Sequence, residues 1–113
     1  MRVNPNKISW HAPTENTDGT PIEYALEYEL GVKKDGEITA HTVVPAQLRD
    51  EDTPDEYEAP IEDMGFEVGE HVIALRAFAK DDPERMSDWS ETLKFAISDE
   101  VPRAPFGLEL RGA

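Results

Sequence analysis

The chain has 113 residues, no cysteine, and 25 acidic against 11 basic side chains, for a formal net charge of −14. That balance argues against nucleic acid and anionic membranes, which are held by positive patches, and the missing thiols exclude disulfides and thiol chemistry. Length and a hydrophobic content of 38% fit one domain with one core. No window approaches the roughly 18 apolar residues of a membrane span, and the start, Met1 to Pro5, lacks the apolar run of a secretory signal. Synthesis in the cytoplasm is therefore expected, with export, if any, by another route such as incorporation into a particle. The acidity is read first as a means of solubility.

In chain order, Lys7 to Ala12 reads as a short strand in which Ile8 and Trp10 alternate with polar residues until Pro13 interrupts the ladder. Asn16-Thr17-Asp18-Gly19 supplies a turn, with Gly19 free to take positive φ and Asp18 placed to bond nearby backbone. Ile22, Tyr24, Leu26, Tyr28 and Leu30 then occupy one face of a strand whose other face carries Glu23, Glu27 and Glu29. Asp35-Gly36 marks a hairpin, and the β-branched run Ile38 to Val44 is its returning strand.

Residues 45–60 hold three prolines and the run Arg49-Asp50-Glu51-Asp52, which predicts a long acidic loop with at most one short strand near Tyr57. As a loop it is a candidate contact region, although a solvated charge run explains the same composition. Beyond the Gly-bearing turn of Met64 to Gly69, His71, Ile73, Leu75 and Ala77 are expected inward and Val72, Ala74, Arg76 and Phe78 outward. Residues 81–85 are read as the last loop, and Ser90 to Ile97 as the closing strand with Leu93, Phe95 and Ile97 inward.

Three segments carry a family resemblance. They are Trp10-His11-Ala12-Pro13 through the turn to Ile22, then Gly69 to Ala77, and then Ser87-Asp88-Trp89-Ser90. Over residues 7–98 the chain resembles a fibronectin type III domain, of the kind found in bacteriophage virion proteins and bacterial exported proteins. The resemblance implies an all-β, antiparallel immunoglobulin-like β-sandwich occupying residues 1–98, with Trp10 as its core tryptophan. It departs from the family at the corner tyrosine, whose place falls to His71, and a histidine N–H can make the same kind of backbone bond. Trp89 is read as covering an edge of the core. The tail, residues 99–113, is similar to the first strand of a further such domain, while Met1 to Asn6 are short for the family's own first strand.

Phe106, Leu108 and Leu110 alternate in that tail behind Pro105. In the expected topology the last strand exits at the pole opposite the start of the first, so the tail reaches a neighbour. It is read as an arm that adds a strand to an exposed sheet edge, in an adjacent copy or in another protein, or else as a linker to a further domain.

Catalytic signals are missing. His11, His41 and His71 lie on different strands, no dedicated calcium loop surrounds Asp50-Glu51-Asp52 or Asp81-Asp82, and no nucleophile elbow or phosphate-cradling loop occurs. No metal and no cofactor is expected. The resemblance and the arm together imply a non-catalytic structural module, an accessory protein of a bacteriophage virion that decorates or connects. Its partners would be a capsid or tail protein or copies of itself, with no role for nucleic acid or membrane. Pro105, Phe106, Leu108 and Leu110 are its contact residues, joined by the loop residues Arg49, Asp50, Glu51 and Asp52. The alternative is a carbohydrate-binding or cell-surface adhesion module of an extracellular protein, which requires Trp89 and Phe78 to form an exposed platform.

Overall fold

The computed structural model describes residues 1–112, with Met1 and the tail included. Nine strands form in chain order: β1 (Arg2–Val3), β2 (Lys7–His11), β3 (Leu26–Lys34), β4 (Glu37–Val43), β5 (Gln47–Leu48), β6 (Glu56–Pro60), β7 (Gly69–Ala79), β8 (Asp82–Met86) and β9 (Leu93–Ile97). One sheet runs β1-β9-β7-β3-β4, with β8 also on β7, and the other runs β2-β6-β5. All pairs are antiparallel except β1 with β9, which are parallel. The chain is thus all-β, with one parallel pair where a wholly antiparallel arrangement was expected.

The two sheets share one core. Ile8, Ala59 and Ile61 from one side meet Tyr28, Leu30, Ile73, Ala77 and Phe95 from the other, and Leu30 and Phe95 are essentially inaccessible. Trp10 packs on this cluster, its ring centroid 5.1 Å from that of Tyr28 and 6.3 Å from that of Tyr57. Burial of its phenol raises the Tyr28 pKa above the ordinary tyrosine value. The Trp10 indole N–H beside it works the other way but does not reach hydrogen-bond geometry, so that N–H is left without a partner.

The β3–β4 hairpin closes through Asp35 at φ 52° and Gly36 at φ 82°, the two consecutive left-handed residues of a tight turn whose twist suits the strands. Asp18 accepts hydrogen bonds from the N–H and hydroxyl of Thr20, which hold its carboxyl below the usual carboxylate range and fix the turn at Gly19.

Four expectations need correction. Strand β3 begins at Leu26 and not Ile22, because Ile22 is held by Thr14 in an irregular loop. Residues 45–60 hold the short strand expected near Tyr57, β6, as the centre of its sheet, and a second, unexpected one, β5, at its edge, so the loop is broken into residues 45–46 and 49–55. Asp82 to Met86 form a strand on β7 and not a free loop. The closing strand starts at Leu93, not Ser90. Ser87 and Ser90 each give an N–H to a β7 carbonyl and accept a β7 N–H on Oγ at 2.9 Å, so side chains replace the ladder along residues 87–90.

That detour swings Trp89 onto the outer face of the larger sheet. Its ring lies over Gly31, where an added Cβ would come within 2.7 Å of it, and the Arg76 guanidinium stacks 4.1 Å above the ring centroid. Ala74, the cross-strand partner of Gly31, is expected outward but is buried. Leu93, expected inward, is 55% exposed at the rim between the sheets.

Candidate interaction surface

Among the predicted contact residues, those of the arm stand furthest from the body. Residues 99–112 contain no strand or helix, and every residue is exposed: Phe106 97%, Leu108 100% and Leu110 103%. The arm's root is fixed. Asn4, at φ 51°, donates to the Ser98 carbonyl at 3.1 Å and accepts the Ser98 N–H at 2.9 Å, and its own N–H bonds Ala96. The arm therefore leaves beside the segment that leads into β2.

The loop residues Arg49, Asp50, Glu51 and Asp52 lie at the other end of that sheet. Strand β6 runs from Glu56, opposite His11, to Pro60, opposite Lys7, so the β5–β6 turn and the arm's root are separated by the length of β2. Asp50 shapes the turn by accepting the Asp52 N–H at 3.1 Å, and the Arg49 guanidinium lies 3.8 Å from the Glu56 carboxylate. All four residues are exposed, and the structure does not bring them together with Pro105, Phe106, Leu108 or Leu110.

Sequence reasoning missed the groove beside β2. Successive residues of an antiparallel strand point their N–H and C=O groups to opposite sides. Ala12 N–H bonds Asp55 and Ile61 N–H bonds Asn6, so the even-numbered residues face β6 and the backbone groups of Lys7, Ser9 and His11 face away. Since β1 pairs with β9 instead, no strand among the described residues pairs this edge, and the segment Ser87 to Glu91 flanks it. Alongside it runs a cleft between the sheets, lined by Ile8, Trp10, Leu75 and the half-exposed Leu93, and continuing past Tyr28 and Ala77. The signal was present as apolar Leu93, but its exposure follows from the serine detour.

His41 and His71 converge, which their places in the sequence do not suggest. Each Nε2 lies 2.7 Å from a carbonyl of the corner between the sheets, His41 at Met64 and His71 at Glu67, and both rings pack on Phe66. His71 thus makes the backbone bond expected of it at the corner. Among the described residues no group of three His, Cys, Asp or Glu side chains is arranged to hold a metal.

Trp89 and Phe78 do not form an open aromatic platform. Arg76 covers one face of Trp89, Gly31 lies under the ring, and Phe78 is partly buried beside Arg85 and Met86. The chain matches no protein-family model, no curated protein and no solved structure.

Proposed function

We propose that this chain is a non-catalytic interaction module of immunoglobulin-like, fibronectin type III architecture. Its role is that of an accessory protein of a virion, gripping a capsid or tail protein or copies of itself through the C-terminal arm. The observation that carries this reading is the fully exposed alternation of Phe106, Leu108 and Leu110 on an arm whose root is pinned by Asn4. The strand order β2-β6 against β9-β7-β3-β4, around a core tryptophan, supports the architecture, and the sequence resemblance alone supports the virion setting.

Burying those three side chains would contribute on the order of 5 kcal/mol gross, most of it offset by the freedom lost on association. A single arm is then a weak hook, and many arms in a repeating lattice are a strong one through multivalency. The test is light-scattering mass on a sizing column, from micromolar to near-millimolar protein. The full chain is compared with a variant carrying Phe106→Ser, Leu108→Ser and Leu110→Ser. Mass that rises with concentration only in the unaltered chain supports the reading. Equal masses throughout, together with equal binding of both proteins to purified virus particles, contradict it.

A further inference from the structure

We infer that the open edge of β2 is the acceptor for the arm of a second copy. Phe106–Leu110 adds there as an antiparallel strand, with Gly107 opposite Ser9 and Glu109 opposite Lys7. This rests on the reading of the arm as an interaction element and specifies what it grips.

The edge offers three residues with outward backbone groups, Lys7, Ser9 and His11, in a strand of five residues. The arm offers five residues whose sequence has the matching period, Phe106 to Leu110, and Gly107, left-handed at φ 69° in the free arm, extends on pairing. In the stated register Gly107 and Glu109 exchange hydrogen bonds with Ser9 and Lys7. Pro105 falls opposite His11, where its missing N–H ends the ladder. The side chains then sort by face. Phe106 and Leu108 point the same way as Trp10 and Ile8, into the cleft where Leu93 and Leu75 present apolar surface. Glu109 points outward beside the Lys7 ammonium, which already sits 2.9 Å from Glu58.

Charge favours the same pairing at longer range. From Val101 onward the chain holds two arginines and one glutamate, a net +1, whereas the first 100 residues hold 9 basic and 24 acidic side chains, a net −15. Beyond Asp99 and Glu100 at its root, the arm is therefore attracted at long range by another copy's acidic body.

The donor is a second copy and not the same chain. The arm leaves at the start of β2, so folding back would lay it parallel to its own β2, the less favourable pairing. In the structure it projects instead. Of the other edges, β5 is only two residues long, and β4 is less open, since His41 reaches across it to Met64 and its flank is polar at Glu37, Thr39 and Thr42.

The absence of natural cysteines allows a direct test with the full chain. Protein carrying Ser9→Cys is mixed with protein carrying Gly107→Cys under mild oxidation, and Thr39→Cys on β4 replaces Ser9→Cys as the control. All three positions are exposed, so folding is preserved. The expected result is a disulfide-linked pair of chains from the Ser9 mixture, several-fold more abundant than from the Thr39 mixture and suppressed when Leu108→Asp is added to the donor. Cross-linking at Thr39 in preference to Ser9 overturns the proposed acceptor. So does no cross-linking at either site while the unaltered chain still associates and its Leu108→Asp form does not. Both outcomes leave the arm as a hook. No cross-link at either site and no difference in mass between the unaltered chain and Leu108→Asp overturns the acceptor and the hook together.

Discussion

His71 shows how one side chain can hold a corner between two sheets. Its Nε2–H bonds the Glu67 carbonyl at 2.7 Å while its ring packs on Phe66 and Phe95. Phenylalanine would keep the packing and lose the bond, so His71→Phe should destabilise the fold by about 1 kcal/mol, measured by urea unfolding. Gly31 is the converse case, a residue that works by having no side chain. A Cβ there would lie 2.6 Å from Ile38 Cγ2 and 2.7 Å from the Trp89 ring. Gly31→Ala is expected to cost about 1–3 kcal/mol, and less in a Trp89→Ala background, where the ring no longer blocks the space. A double-mutant cycle in urea reads the difference. Tyr28 carries a pH dependence. Burial raises its folded pKa above the unfolded value, so between those two values the folded state binds more protons than the unfolded state. Stability is therefore fully present below the unfolded pKa, near 10, and declines as pH rises toward the folded pKa. Tyr28→Phe should flatten that part of the alkaline decline in a pH series of unfolding curves, and an unchanged slope would rule out this residue as a source.

At the scale of elements, a clip ties the start of the chain to the end of β9. Asn4 makes three hydrogen bonds to Ala96 and Ser98 and adopts a left-handed φ that asparagine tolerates better than most residues. Asn4→Ala removes the side-chain pair and strains the backbone. The expected outcome is faster amide exchange at Ser98, which loses its acceptor, and at position 4, whose N–H bonds the Ala96 carbonyl, with little change at Ile73 or Leu30 in the core, read by hydrogen exchange. Equal acceleration throughout would mean that the clip supports the whole fold and not its edge. Elements whose signal is local were legible in the sequence: the β2 alternation of Ile8 and Trp10, the Asp35-Gly36 turn, the His71 bond and the apolar arm. Those set by distant pairing were not. A short strand near Tyr57 was legible, but its central place between β2 and β5 was not, because its partner β2 lies about 50 residues away. The Ser87 and Ser90 bonds that delay β9 until Leu93 resemble an ordinary turn until β7 is beside them. The apolar alternation of the arm is plain in the sequence, and the structure leaves those side chains exposed. The edge proposed to receive them follows from which backbone groups β6 and β9 leave free, and no local pattern records that.

The whole molecule is two objects in one chain. Its accessible surface is 8966 Å², against roughly 6,200 Å² for a compact protein of its mass. Its radius of gyration is 19.4 Å where about 13 Å is typical, and its longest extent is 73 Å. The extended arm, exposed along its whole described length, contributes to that excess and adds Phe106, Leu108 and Leu110 to the apolar side chains that the acidic body already exposes. On the proposal made above, this arm is completed by another molecule at the β2 edge. The most direct test is the amide exchange rate of Ser9, followed by nuclear magnetic resonance across a concentration series of the full chain. The expected result is that Ser9 exchange slows as concentration rises and stays fast in Leu108→Asp. A Ser9 amide that exchanges equally fast at every concentration would contradict it.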